Sequence, residues 1–174
     1  MKKKHKKIIQ ELKLEPHPEG GWFSETYRSD LILSKAALSE SHSGARPAST
    51  AIYFLLTKDH PISRLHQLKS DEMFHFYDGD PLQVLLLRPN GTGSIEIVGK
   101  DIENGERPQL LIPKGTWFGA KLNNKASYVL MGCTVAPGFD FEDFTMDVSE
   151  SDKKGLLEQY PDFSQMIEEL ISQT

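Results

Sequence analysis

Histidine and glutamate stand close together in one stretch of the sequence, HQLKSDEMFHFYDG, which covers residues 66–79. Alternation of apolar and polar residues predicts two adjacent strands here, joined by a turn at residues 69–71. Side chains two residues apart in a strand share a face, so His66 and Glu72 are expected to point into the same interior. An imidazole beside a carboxylate can bind a divalent metal, or it can transfer protons as an acid/base pair.

The other residues on this face are mostly apolar. Leu68, Phe74 and Phe76 are separated from His66 or Glu72 by an even number of positions, so they are expected on the same face. This pattern predicts a small-molecule pocket with few polar groups or, alternatively, an ordinary filled barrel core. Arg64, two residues before His66, is expected on this face as well. If it were buried it would need an anionic partner, but it could equally lie solvated at the start of the strand.

A second polar segment, EGGWFSETYR, precedes this stretch. Its glycine pair permits a sharp bend, after which Glu25 and Tyr27 are expected to share one face and line the mouth of a pocket. A plain edge strand would produce the same pattern. A second catalytic group opposite the histidine could come from these two residues, or from Tyr53 or Tyr77.

The remaining elements predict an all-β protein with short helices at both ends. Residues 4–13 can form a helix with Ile8, Ile9 and Leu12 on one stripe. From residue 49 onward, short strand-like runs follow one another with turn residues between them, which is typical of an antiparallel sandwich or barrel. Residues 151–172 return to a helical pattern, and these helices are expected to pack outside the barrel.

Two segments have patterns typical of solvated surface. Residues 34–49, SKAALSESHSGARPAS, have no sustained apolar period and predict a mobile surface loop in which His42 is solvated. The acidic run FDFEDFTMD predicts an edge strand whose carboxylates face water.

Length and composition indicate one soluble domain. The chain has 174 residues and a net charge of −5, and six of its 20 basic residues lie within residues 1–13. The acidic remainder argues against nucleic acid as a partner, and the absence of a long apolar run argues against a membrane span. A single cysteine, Cys133, is expected to be a buried inert thiol in the reducing cytoplasm. We expect an N-terminal helix over 1–14, a barrel over 15–148 and C-terminal helices over 149–174.

The first motif resembles that of the cupin superfamily. That motif has two histidines separated by one residue, then a glutamate and, further on, a glycine. His66, Glu72 and Gly79 match, but Leu68 stands at the second histidine. The second cupin motif resembles PKGTWF, where the proline and glycine match and Phe118 stands at the position of the third histidine.

A closer resemblance covers residues 12–144. LEPHPEGGWFSETYRS, STAIYFLLT, SDEMFHFYDGDPLQVLLL, PKGTWFGAKL and GCTVAPGFDFEDF are together similar to the cupin 5 family. The resemblance implies a jelly-roll barrel, a double-stranded β-helix open at one end and commonly assembled as a homodimer. Comparable barrels include sugar-nucleotide epimerases that use a histidine base without metal, and storage proteins without catalysis.

Three functions are compatible with these residues. The first is binding of a small polar or sugar-like ligand, with metal-independent isomerase or epimerase chemistry based on His66 and Glu72, in a pocket to which Phe118 contributes. The second is a non-catalytic binding or storage-like barrel. The third is a metal-dependent cupin enzyme, which we disfavour because only His66 and Glu72 remain as ligands and three or more are needed. His75 lies three residues after Glu72 and is expected on the opposite face. No cofactor is expected.

Overall fold

The computed structural model describes residues 2–123 and 126–172. It contains helices α1 (Lys2–Glu11), α2 (Glu150–Gln159) and α3 (Ser164–Ile171). The strands of the described residues are β1 (Glu15–Pro16), β2 (Trp22–Arg28), β3 (Ile32–Leu33), β4 (Arg46–Pro47), β5 (Thr50–Thr57), β6 (Ile62–Leu68), β7 (Asp71–Gly79), β8 (Leu82–Leu87), β9 (Gly93–Val98), β10 (Gln109–Ile112), β11 (Trp117–Leu122), β12 (Tyr128–Ala136) and β13 (Phe144–Thr145).

Two antiparallel sheets form the barrel. One has six strands in the order β1-β2-β5-β12-β7-β10, and the other has five strands in the order β13-β6-β11-β8-β9. Strands β3 and β4 form a separate pair. The predicted all-β cupin jelly-roll barrel with short terminal helices is confirmed.

The main core lies between the two sheets. Alternate residues of each strand point inward, as the period of two requires. Phe54 on β5 and Met131 on β12 meet Leu86 on β8 and Phe118 on β11 in one buried cluster. Burial of each such side chain contributes about 1.5–3 kcal/mol before conformational entropy is counted.

The helices cover the outer faces of the sheets, as predicted. On the six-stranded sheet, Ile8 and Ile9 of α1, with Leu12 directly after it, pack against the cluster that contains Leu55. On the five-stranded sheet, α2 and α3 pack against Leu65, Leu85 and Leu87. None of the helices in the described ranges is long and apolar enough to cross a membrane.

The segment 34–49 is exposed over much of its length, as its composition predicts, but some of its side chains are buried. His42 and Arg46 are each 3% exposed, and so is Asp143. Nε and Nη2 of Arg46 donate to the two carboxylate oxygens of Asp143 at 2.6 and 2.9 Å. Nε2 of His42 lies 3.1 Å from Oγ of Ser70. His42 is therefore not solvated as predicted. The prediction that the carboxylates of FDFEDFTMD face water is wrong for Asp143, which is buried in an ion pair with Arg46, and holds for Glu142, whose side chain is 64% exposed.

Candidate functional site

His66 and Glu72 point into one cavity from opposite sides of the barrel. His66 lies on β6 in the five-stranded sheet, whereas Glu72 lies on β7 in the six-stranded sheet. The chain therefore changes sheets at the turn between them, so the two residues face each other across the interior. Both are buried, at 3% and 7% exposed.

A cavity of about 180 Å³ lies beside these two residues. Its polar lining includes His17, Glu19, Glu25 and Arg28. Much of its apolar wall consists of five phenylalanines, Phe23, Phe54, Phe139, Phe141 and Phe144. Such a largely apolar wall with a few converging polar groups is typical of small-molecule sites.

The turn between β1 and β2 brings a second carboxyl group to His66. Gly20 has a φ of 112°, and a Cβ there would collide with the carbonyl of Ile62. Only glycine allows this close approach. The backbone amide of Arg64 donates to the carbonyl of Glu19 at 2.8 Å, and Ser63 Oγ donates to Oε1 of Glu19 at 2.8 Å. Glu19 is thereby held against the start of β6.

The tautomer of His66 follows from its neighbours. Nδ1 lies 2.6 Å from the carbonyl oxygen of Arg64, which can only accept, so Nδ1 carries a hydrogen. Nε2 lies 3.2 Å from Oε2 of Glu19. This second contact is a hydrogen bond only if one of its two atoms is protonated.

Burial shifts the pKa values of both members of this contact toward their uncharged forms. Burial lowers the pKa of His66 to about 4, and the Arg64 carbonyl offsets this only in part. Burial also raises the pKa of Glu19, against the opposing effects of His17 and Ser63. Burial therefore disfavours an ion pair between these two groups, and His66 is neutral at pH 7, with Nε2 unprotonated.

His17 lies on the other side of Glu19. Its Nδ1 accepts a hydrogen bond from the backbone N–H of Glu19 at 3.3 Å and lies 3.5 Å from Oε2 of that residue. Its ring packs edge-on against Phe23, with centroids 4.6 Å apart. Burial lowers the pKa of His17 from 6.5. A neutral His17 thus supports Glu19 without adding charge to the cavity.

Glu72 faces this group from the six-stranded sheet. Its Oε2 is buried and has no hydrogen-bond partner among the residues that the structure describes. Cys133 on β12 lines the cavity with it, and its thiol opposes the rise of the Glu72 pKa. Burial raises the pKa of Glu72 well above its usual value, and the Glu19 carboxyl raises it further. The cavity therefore holds two buried carboxyl groups that favour their neutral forms.

Several of the residues predicted from the alternation along the strands do lie at or behind the cavity. Leu68 and Glu25 line it, together with His66 and Glu72. Phe118 pairs with His66 between β11 and β6, and their ring centroids are 4.0 Å apart. Phe74 packs behind Phe118, with centroids 6.1 Å apart, and Phe76 is partly buried against the same core.

The structure does not bring Tyr27 or Arg64 to the cavity. A β-bulge lies between Glu25, which pairs with Ile52, and Tyr27, which pairs with Ala51. The extra residue reverses the facing of Tyr27, which is 55% exposed. Nη2 of Arg64 donates to the carbonyl of Pro18 outside the cavity at 2.6 Å.

Three other candidates lie on the outer face of the six-stranded sheet. The rings of Tyr53 and Tyr77 pack against each other there, with centroids 6.1 Å apart. The Nε2 atom of His75 lies 3.1 Å from Oγ1 of Thr134, and Nδ1 lies 3.1 Å from Nε2 of Gln109. The prediction that His75 points away from Glu72 is confirmed, and none of these residues can act on a molecule in the cavity.

The cavity residues do not fit the metal that the cupin motif implies. Both ring nitrogens of His66 are already engaged, by Arg64 and by Glu19. Leu68 and Phe118 supply hydrocarbon where the motif supplies imidazole. Within residues 2–123 and 126–172, no group of three or more histidine, cysteine, aspartate and glutamate side chains is arranged to hold a metal ion. The chemistry derived below therefore uses protein groups alone.

Sequence reasoning missed the partner of His66, which is Glu19 rather than Glu72. The strand pattern gave no signal for this partner, because Glu19 lies in the turn between β1 and β2. Cys133 is buried, as predicted, but it also lines the cavity.

Comparison with known proteins agrees with this barrel. A family model described as Cupin_5, cupin superfamily (DUF985), matches residues 6–147. The uncharacterized protein YML079W of Saccharomyces cerevisiae is 34% identical over 158 residues, which cover 86% of this chain and 78% of the yeast protein.

Two solved structures are similar over almost their whole length. A hypothetical protein from Leishmania major has a TM-score of 0.82 and 34% identity, covering 97% of this chain and 98% of the other. Protein SO0799 from Shewanella oneidensis has a TM-score of 0.78 and 35% identity, covering 97% of both chains. None of these names states a ligand or a reaction, so the function has to be argued from the cavity.

Proposed function

Since this chain belongs to the Cupin_5 family (DUF985) of the cupin superfamily, we propose that its cavity binds a small polar or sugar-like molecule and carries out isomerase or epimerase chemistry on it without a bound metal. One observation carries the proposal. The cavity places an imidazole and a carboxyl group on opposite sheets, and burial shifts the pKa of each toward its uncharged form. Proton transfer in both directions requires such a pair.

The residues can be given roles in an isomerisation. Nε2 of His66 takes the proton from the carbon beside a carbonyl group, and Glu72 donates its proton to the carbonyl oxygen. The resulting enediol is then converted by the reverse transfers: His66 returns its proton to the former carbonyl carbon, and Glu72 takes the proton of the other hydroxyl group. Glu19 occupies Nε2 in the free protein. A ligand must therefore displace the Glu19 carboxyl group from Nε2 before His66 can act.

The second candidate is a binding barrel without catalysis. Its support is the pKa of about 4 for His66, because an imidazole of such low basicity is a weak proton acceptor. The two functions share the ligand and differ only in whether protons are exchanged with it.

A ligand screen tests the binding step. We expect at least one sugar, sugar nucleotide or small hydroxy-ketone to raise the midpoint of thermal unfolding in the presence of EDTA. A ligand at one hundred times its Kd stabilises a protein by about 2.7 kcal/mol. The shift should weaken in His66→Asn and persist in the control His75→Asn, which alters a histidine on the outer face. A panel without any stabilising member would contradict the proposal.

Catalysis is separated from binding by isotope exchange. With a ligand that binds, the isomerase function requires deuterium from D2O to enter the carbon beside the carbonyl group, which proton NMR detects. Exchange lost in His66→Asn and in Glu72→Gln supports catalysis. Binding of the ligand without deuterium exchange would support the non-catalytic binding barrel instead.

We also propose that the chain forms a homodimer in the cytoplasm and binds no nucleic acid. The outer face of the six-stranded sheet exposes Tyr77 and Leu111 to 52% and 49%, which are large fractions for such side chains. Light scattering should give twice the 19.6 kDa chain mass, and the double change Tyr77→Glu and Leu111→Glu should give the monomer mass. A wild-type monomer at all concentrations would contradict the dimer.

A further inference from the structure

The cavity has an excess of acidic groups. Among the described residues that line it, four carry carboxyl groups and one carries a guanidinium, namely Glu19, Glu25, Glu72, Asp140 and Arg28. The guanidinium is already committed at the mouth. Its Nε and Nη2 donate to the two oxygens of Glu25 at 3.0 and 2.7 Å, and its Nη1 donates to the carbonyl of Phe139 at 3.2 Å. Within the described lining, a carboxylate or phosphate ligand would therefore find no free guanidinium as a partner.

Glu72 offers an acceptor that the protein leaves unused. The residue is 7% exposed, and it lines the cavity. Its buried Oε2 has no partner within the described part of the chain. A buried polar atom without a hydrogen bond is costly, so such an atom in a cavity indicates a donor on the ligand. Glu19 stands on the opposite side with a second carboxyl group.

The walls are suited to a cation as well. The faces of aromatic rings carry negative electrostatic potential and attract ammonium groups. Phe139, Phe141 and Phe144 form a cluster in which the ring centroids are 5.0 to 6.2 Å apart, and Phe141 is 59% exposed at the mouth. His66 lies 5.4 Å from Phe144, so the ring wall extends from the mouth to the base.

We propose that the cavity selects a small amine, whose ammonium group donates to Oε2 of Glu72 and whose carbon skeleton packs against the phenylalanine rings. The inference rests on the proposed function, because it names the class of ligand that the same cavity binds. A neutral alcohol could satisfy Oε2 as a donor, but only an ammonium group favours the ionised form of Glu72 by charge attraction, and Glu72 then serves as an acceptor rather than as an acid. The size is limited, since an apolar cavity of about 150 Å³ holds one benzene ring.

Matched ligand pairs test this inference. Isothermal titration calorimetry at pH 7.5 and low salt, with EDTA present, compares cyclohexylamine with cyclohexanol, benzylamine with benzyl alcohol, and glucosamine with glucose. We expect the amine of at least one pair to bind about tenfold or more tightly than its alcohol. Glu72→Gln should weaken the binding of that amine about tenfold and change the binding of the alcohol much less. Glu103→Gln, at an exposed site far from the lining, is the matched control.

Other outcomes overturn the inference in distinguishable ways. If alcohols or sugars bind as tightly as the amines, the amine selectivity is overturned and the binding function stands. If no amine binds, the selectivity is again overturned, and the sugar screen above decides the function separately. If an amine binds but neither Glu72→Gln nor Glu19→Gln weakens it, the ammonium does not lie between these carboxyl groups. Circular dichroism verifies that each variant is folded, and Glu19→Gln replaces Glu72→Gln if the latter is not.

Discussion

Replacing Arg46 with methionine is expected to destabilise the protein by about 3 kcal/mol, because the buried carboxylate of Asp143 then keeps only the longer contacts to Lys69 and His42, at 3.6 and 3.9 Å. Both side chains are 3% exposed, and two hydrogen bonds of 2.6 and 2.9 Å join them. Methionine retains much of the length of the side chain, so the loss comes mainly from the missing charge. Urea unfolding at pH 7 measures the difference.

A double change separates the ion pair from its packing. When Arg46→Met is combined with Asp143→Leu, no buried charge remains, and we expect most of the lost stability to return. Glu142→Gln is the control, since Glu142 also accepts from Nη2 of Arg46 at 3.2 Å but its side chain is 64% exposed. That change should cost less than about 1 kcal/mol. A double variant as unstable as the sum of its single changes would contradict the explanation.

The ion pair also matters for the cavity. Asp143 directly precedes Phe144, which pairs with Leu68 on β6, and both Phe144 and Leu68 line the cavity. The segment around Arg46 thus holds one aromatic wall in place from outside the barrel. Variants that break the pair are expected to weaken ligand binding even though neither charged group faces the ligand.

Much of the barrel could be predicted from local patterns. The period of two along residues 62–79 placed His66, Leu68 and Glu72 on the inner face and His75 on the outer face. Local patterns failed where one extra residue changes the register, as at the bulge that turns Tyr27 outward. The alternation along a strand also does not tell whether consecutive strands pair or lie in opposite sheets. The sequence therefore did not predict that Glu72 faces His66 across the interior.

Long-range partners were beyond the sequence for a different reason. The carboxyl group that contacts His66 comes from Glu19, and the carboxylate that holds Arg46 comes from Asp143, 97 positions away. Neither contact leaves a periodic trace, because each depends on a single side chain at a turn. The segment around Arg46 has the small polar composition of a solvated loop, and only the folded chain supplies the partner that buries it.

The protonation state of His66 leads to a pH-dependent stability. Its pKa is about 4 in the folded protein and 6.5 when unperturbed, so folding favours the neutral ring. The stabilisation is fully present above pH 6.5 and is lost as the pH falls toward 4, because the unfolded chain then binds the proton more readily. Since one pKa unit corresponds to about 1.4 kcal/mol, we expect a loss of about 3 kcal/mol over this range.

A variant isolates this contribution from other titrating groups. His66→Asn keeps a donor near the Arg64 carbonyl but does not titrate. The buried Glu19, Glu72 and His17 are present in both proteins, so their own pH dependence largely cancels in the difference. We expect the stability of wild type minus that of the variant, from urea unfolding, to fall by about 3 kcal/mol between pH 7 and pH 4. His75→Asn should show no comparable change.

A stability difference that persists at low pH would indicate that the proton lies on His66 rather than on Glu19. If His66 were an imidazolium paired with ionised Glu19, its folded pKa would be raised, and the difference would persist at low pH and diminish as the pH rises. Nitrogen-15 NMR of the imidazole distinguishes the two states directly, because Nε2 is unprotonated only in the neutral form. The neutral form leaves Nε2 able to accept a proton from a ligand once Glu19 is displaced, whereas the imidazolium could only donate. This measurement therefore decides which direction of proton transfer the cavity can begin with.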